Sequence, residues 1–309
     1  MTVSDRPKSA HTLVVVAGPT AVGKTNLAIQ LALHYHTVII SADSRQFYKQ
    51  LKIGTASPAP GELALVPHFL AGHLDVNDYY NVSKFESDVL KILKAEFPVR
   101  NPIILTGGSG LYIDAVCKGI DDLPDADPRI REQINLWLKE SGLEYLQRML
   151  QELDPEYFAI VDKNNPNRLK RAIEVCLMTG KTYTSLRMNQ TKIRDFKIIK
   201  IGLNLPREEL FERIRLRTEK MIVDGLVDEV KSLAGFRSIN ALNTVGYKEI
   251  FEFLDGTVSL DQAITNIKTN TRRYAKRQLT WFKRDEEMRW FSPDQIKQII
   301  RYINEMMAC

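Results

Sequence analysis

No stretch of this sequence approaches eighteen consecutive apolar residues, and Met1 to Ala10 is mostly polar, without the apolar segment of a secretory leader. The expectation is a protein that neither spans a membrane nor is exported, and that works in the cytoplasm. Cysteine is scarce. Cys117, Cys176 and Cys309 lie far apart and form no CxxC pair, and their odd number argues against a disulfide framework. Internal repeats and low-complexity tracts are missing, and so is a strong excess of one charge. A formal net charge of +5 over 309 residues permits a nucleic-acid partner without indicating one, so the distribution of charge matters more than the total. With 44% hydrophobic residues the chain can bury a large core, and its length suggests a main domain with an elaboration.

What is present begins with Gly18-Pro-Thr-Ala-Val-Gly-Lys24-Thr25, which follows the apolar run Leu13 to Ala17 and precedes Asn26-Leu-Ala-Ile-Gln-Leu. Buried strand, glycine-bearing turn and helix start are the context in which G-x-x-x-x-G-K-[ST] has a mechanism. Gly18 and Gly23 let the backbone wrap closely, successive N–H groups of the loop point inward, and the helix N-terminus adds its positive end. Such a loop binds phosphate. Lys24 can reach the distal oxygens, and the Thr25 hydroxyl can sit on a Mg²⁺ ion that those oxygens share.

A second β-branched run, Thr37 to Ser41, leads into Asp43-Ser44-Arg45-Gln46. Ligands of open parallel sheets sit beyond the carboxyl ends of strands, so Asp43 is expected to share a crevice with Lys24; the alternative is a turn or cap aspartate. Ser83 to Phe97 has helical spacing, with Ser83 and Glu86 placed as a capping box. A third strand, Pro102 to Thr106, ends in Gly107-Gly108-Ser109, where a nucleotide hydrolase would usually offer a carboxylate. From Asp121 to about Asp195 strand patterns vanish, which predicts a helical insertion at 121–195 between core segments 11–120 and 196–309. Its Asn165-Pro-Asn167-Arg168-Leu169-Lys170-Arg171 is a basic helix start, which calls for a compensating acid nearby. The last third reads as helical, through Arg207 to Leu233 and a long basic helix from Leu260 to Lys283.

These residues admit three chemistries. One is a small-molecule kinase that binds ATP, with Asp43 positioning the acceptor hydroxyl. In a second, bound diphosphate is the leaving group and the carboxylate deprotonates a nucleophile attacking carbon. The third is a P-loop switch or RNA-binding module without transfer chemistry. The missing acidic strand end weakens the switch, and three basic helices weaken the kinase.

Six motifs then occur in order: Gly18 to Thr25, Asp43-Ser-Arg-Gln46-Phe-Tyr48, Ile53-Gly-Thr-Ala, Gly107-Gly-Ser-Gly-Leu-Tyr112, Asn165-Pro-x-Arg168-x-x-Arg171-Ala and Val245-Gly-Tyr-Lys-Glu249. This series resembles the motifs of tRNA dimethylallyltransferases over about Val14 to Trp281. The resemblance implies a P-loop NTPase-like α/β core, a parallel sheet flanked by helices, with a mainly helical insertion domain. It also implies transfer of a dimethylallyl group from dimethylallyl diphosphate to N6 of adenosine 37 in tRNAs reading codons that begin with U. By that likeness Gly18, Pro19, Thr20, Ala21, Val22, Gly23, Lys24 and Thr25 hold the diphosphate with Mg²⁺ on Thr25, Arg217 is a further phosphate clamp, and Asp43 is the general base. Contacts to the tRNA anticodon stem-loop are expected from Asp43, Ser44, Arg45, Gln46, Ser109, Asn167, Arg168, Leu169, Lys170, Arg171, Thr244, Val245, Gly246 and Tyr247. For Arg168 and Arg171 the rival is an internal salt bridge. Ser57 stands where the family often has Lys, and Phe69 where a second His is common, so no catalytic role goes to that position. His68 and His73 are expected to be structural or to touch substrate. No metal beyond Mg²⁺ is expected, and the protein is expected to be a monomer.

Overall fold

The computed structural model describes residues 11–187 and 191–309. The segment Met1 to Ala10 and residues 188–190, the latter inside the expected insertion, lie outside these. The chain divides into two compact units, one of residues 1–117 and 194–309 and the other of residues 118–193.

The larger unit is built on six parallel strands: β1 (Thr12–Ala17), β2 (Ile39–Ser41), β3 (His68–Phe69), β4 (Ile103–Gly107), β5 (Lys197–Leu203) and β6 (Arg289–Phe291), in the order β3-β2-β4-β1-β5-β6. Central β1 is a near-continuous apolar run because both its faces are covered. Leu13, Val15 and Ala17 point into one core cluster, and Val14 and Val16 into the other, the period-two division a pleated strand imposes. The second cluster is closed by α1 (Lys24–His34), through Leu27, Ala28 and Leu31, and by α13 (Ile296–Ala308), through Ile299 and Ile303. The first is closed by α3 (Val82–Glu96), through Phe85, Val89 and Leu93.

The chain passes from β1 through α1 to β2 and leaves room between those strands for β4, so the sheet order reverses beside β1. A crevice opens there beyond the strands' carboxyl ends. The loops at Gly18, Asp43 and Gly107 all emerge into it.

Two local expectations are corrected. The capping box of Ser83 and Glu86 does not form: Asn81 caps α3 by accepting from the Lys84 amide, and buried Glu86 pairs with Arg194 at 2.5 Å. The helix expected over Arg207 to Leu233 is two, α9 (Arg207–Val223) and α10 (Leu226–Ser232), broken at Gly225, where φ is 99°. Helices α2 (Pro60–Leu65), α4 (Gly110–Lys118), α11 (Tyr247–Leu254) and α12 (Leu260–Phe282) complete this unit, with the short β3 and β6 unheralded in the sequence.

The unit of residues 118–193 holds α5 (Pro128–Leu153), interrupted at Gly142, then α6 (Pro155–Ile160), α7 (Pro166–Thr179) and α8 (Tyr183–Leu186). Its core joins Ile134, Leu146 and Leu150 of α5 to Leu169, Ala172 and Ile173 of α7. Among the described residues no helix is long and apolar enough to cross a membrane.

Candidate active site

The turn after β1 delivers Gly23 at φ 106°, a left-handed conformation that ends the loop and starts α1. Lys24 opens that helix, and its Nζ turns back to donate to the Pro19 carbonyl at 2.8 Å. Burial lowers the Lys24 pKa to about 8 against the pull of Asp43, and Arg217 adds to the lowering. The ammonium thus sits among charges arranged for an anion rather than in an ion pair of its own.

Asp43 follows β2. Its Oδ1 accepts from the Arg45 amide at 3.1 Å, an Asx turn that aims the carboxylate toward the crevice. Ser109 joins this loop to the end of β4, where its Oγ accepts from the Ser44 amide at 2.9 Å. Arg45 is spent on the Asn240 and Ala241 carbonyls, and Gln46 donates to the carbonyls of Thr55 and Ala56 at 3.1 and 3.0 Å. Arg217, on α9, donates to the same Thr55 carbonyl at 3.2 Å, and burial lowers its pKa while Asp43 opposes the change.

Two cavities meet at these groups. The smaller, about 270 Å³, is walled by Thr20, Ala21, Gly23, Lys24 and Thr25 on the loop side and by Gly107 opposite. The larger, about 560 Å³, is lined by Ser44, Arg45, Ile214, Met221, Thr244 to Gly246, Ile267 and Tyr274 among others. Thr20, Asp43 and Arg217 line both. A ligand with an anionic head in the smaller space and a short apolar part in the larger would meet a carboxylate and a guanidinium at the joint.

Several expected site residues sit elsewhere. Tyr247 is 0% exposed and its hydroxyl donates to Glu229 at 2.6 Å, so its side chain is core rather than a tRNA contact. Glu229 carries no motif in the sequence, yet it also accepts from the amides of Lys52, Ile53 and Gly54 and thereby anchors the loop whose Thr55 carbonyl holds Gln46 and Arg217. Leu169 of α7 is likewise fully buried. Arg171 pairs with Glu174 at 2.8 Å and donates to the Pro124 carbonyl, so the internal salt bridge is the arrangement found, and buried Glu174, which also binds Arg131, is the compensating acid the basic helix start called for. Asn167 and Arg168 are exposed, and Lys170 donates to Asn135. His68 bonds the Val66 carbonyl through Nδ1 at 2.8 Å. The His73 ring packs edge-on against Phe47 and Tyr80, and burial lowers its pKa.

A loop with the G-x-x-x-x-G-K-T pattern, facing a carboxylate and a half-buried arginine at the carboxyl ends of a parallel sheet, places the chain among α/β proteins of the P-loop NTPase-like kind. Residues 46–285 match the family described as IPP transferase, and the chain belongs to that family. It is 52% identical over 292 residues, 94% of this chain and 95% of the relative, to a Bacteroides thetaiotaomicron protein named tRNA dimethylallyltransferase 1. A Christiangramia forsetii tRNA dimethylallyltransferase is 49% identical over 292 residues, 94% and 97% of the two chains. Among solved structures, the tRNA isopentenylpyrophosphate transferase of Bacillus halodurans superposes with TM-score 0.70 at 34% identity, covering 96% of this chain and 97% of that one. A eukaryotic dimethylallyltransferase captured acting on tRNA gives TM-score 0.71 at 27% identity, covering 88% and 69%.

Proposed function

We propose that this chain is a tRNA dimethylallyltransferase, which moves a dimethylallyl group from dimethylallyl diphosphate to N6 of adenosine 37 in the anticodon loop of tRNAs reading codons that begin with U. The observation that carries the reading is the shared wall: Asp43 and Arg217 line both the phosphate-loop cavity and the larger one beside it. A kinase would use the same loop for ATP, but the named relatives are prenyl transferases, which leaves that reading without support.

The diphosphate lies along the amides of Thr20 to Thr25, with Lys24 exchanging the Pro19 carbonyl for a phosphate oxygen. Target adenine swings out of the loop stack into the larger cavity, where single-stranded bases are cheapest to extrude. As the C–N bond forms and the allylic C–O bond breaks, the diphosphate departs with its electron pair and the N6 proton passes to the Asp43 carboxylate. Lys24 and Arg217 neutralise the charge that develops on the leaving oxygens, the effect that usually dominates such a step. An aromatic amine is a weak nucleophile, so removing its proton as it attacks is suitable work for a carboxylate. Mg²⁺ fits the donors present: Thr25 and Asp43 both line the smaller cavity, and the Thr25 hydroxyl would hold a hard cation there that adds positive charge beside the leaving group.

Ser44, Arg45, Gln46, Ser109 and Thr244 to Gly246 are the tRNA contacts expected from this unit, and exposed Asn167 and Arg168, with Lys170, those from residues 118–193. We read the enzyme as a cytoplasmic monomer.

The test is to incubate the protein with Mg²⁺, dimethylallyl diphosphate and an unmodified anticodon stem-loop, with ATP in a parallel tube, and to weigh the RNA. A mass gain of one dimethylallyl group, lost when adenosine 37 is replaced by guanosine, supports the reading. No gain, with ATP consumed, refutes it. Asp43→Ala is expected to lose turnover at least 100-fold while tRNA affinity changes little, as removal of a general base requires. Equal loss of both would sink the base assignment.

A further inference from the structure

We propose that Gln278 is a positioning residue that sets the spacing between the diphosphate loop, the Gly108 wall and the acceptor cavity. The inference rests on the transferase reading. Gln278 lies on α12, 5% exposed, in the middle of a run of arginines and lysines that suggests only a polyanion-binding face. Its side chain points the other way. Oε1 accepts from the Thr20 amide at 2.8 Å, and Nε2 donates to the Gly108 carbonyl at 2.9 Å. The reverse orientation of the amide would set N–H against N–H and carbonyl against carbonyl, so the network admits one arrangement.

Its two partners and the neighbouring Tyr274 belong to different parts of the site. Thr20 lines both cavities and belongs to the loop that holds the leaving group. Gly108 precedes Ser109, whose hydroxyl takes the Ser44 amide next to Asp43. Tyr274 lines the acceptor cavity one turn earlier on α12. A side chain at position 108 would meet Nε2 at 2.3 Å, so this glycine is where the wall makes room for the amide. One buried side chain thus joins the ends of β1 and β4 to the helix that walls the acceptor space, at 258 and 170 residues of sequence separation respectively. Gln278 itself lines neither cavity, so its influence on the reaction passes through these neighbours. A buried polar network that is fully satisfied rigidifies what it joins, and a small misplacement of reacting atoms costs far more rate than affinity.

The experiment compares wild type, Gln278→Met and Gln278→Glu with dimethylallyl diphosphate and the anticodon stem-loop. It measures kcat in single-turnover conditions, inorganic pyrophosphate affinity and stem-loop affinity. Gln278→Met keeps the length and loses both bonds. Gln278→Glu keeps an acceptor for Thr20 and turns an oxygen on the Gly108 carbonyl. We expect kcat to fall about 10- to 100-fold in both variants, with pyrophosphate and stem-loop affinities within about threefold of wild type. If one variant does not fold, the other decides. A kcat within twofold of wild type in a folded variant overturns the proposal. So does a loss of pyrophosphate affinity in step with kcat, which would make Gln278 a support of the phosphate loop alone. An inactive wild type under the same conditions would instead refute the transferase reading.

Discussion

Lys24→Met should make the ligand-free protein more stable while abolishing its activity. A lysine brought from 10.5 to about 8 by burial carries, at neutral pH, a native-state cost of about 3 kcal/mol for staying charged. Lys24 as a residue is only partly buried, so solvent relaxation reduces this to about 2 kcal/mol. The hydrogen bond to Pro19 returns about 1 kcal/mol. Methionine keeps the stem and removes both effects, which leaves the variant ahead by about 1 kcal/mol, or roughly 1.5 °C in Tm for a chain of this size. The sign with pH follows from linkage. Between about 8 and 10.5 the unfolded chain holds the Lys24 proton and the native one releases it, so wild type gains stability there relative to the variant. The advantage of Lys24→Met is therefore full below pH 8 and shrinks above it. Paired urea melts at pH 7 and pH 9.5 measure the difference, and groups common to both proteins cancel. Saturating pyrophosphate should raise the Tm of wild type only. A variant less stable than wild type at pH 7 by 1 kcal/mol or more would refute the reasoning, since the lysine would then be a structural donor and not a strained one.

Three other substitutions probe the surroundings. Gly54→Ala places a methyl 2.4 Å from the ring of fully buried Tyr247, so urea melts should show a loss of about 2–3 kcal/mol. Arg217→Lys retains charge but not the planar fork, and kcat/KM for dimethylallyl diphosphate should fall about 100-fold in steady-state assays, with the fold unchanged by circular dichroism. Glu174→Gln leaves Arg131 and Arg171, each about a third exposed at the side chain, facing each other without their shared carboxylate. The loss should be about 2 kcal/mol, read as faster hydrogen exchange in α5 and α7.

Why some of this site was legible and some was not follows from sequence distance. The phosphate loop is a local device: its glycines, lysine and threonine lie within eight residues, and the apolar run before it and the helix after it are periodic enough to read. Asp43 and Gly107 could be placed because a parallel sheet sends every loop of this kind to one edge. The anchors of those loops could not. Glu229 holds residues 52–54 across about 175 positions, and its own surroundings, Val227-Asp-Glu-Val230, look like the polar face of any helix. Tyr247 stands in a motif with a strong family likeness, and likeness alone does not say whether a residue touches the substrate or holds the loop that does; its buried ring answers that it holds the loop. Arg171 was ambiguous for the same reason, since a guanidinium three residues before a glutamate on a helix serves either an external anion or that glutamate. Here the carboxylate is fully buried, and an unpaired charge there would cost more than any surface contact returns, so the internal pair takes the side chain. Gln278 lies at the extreme of this pattern. Its neighbours in sequence are cations and its neighbours in space are backbone groups of two loops, so what identifies it is the requirement that a buried amide and the loop amides it meets all be satisfied together.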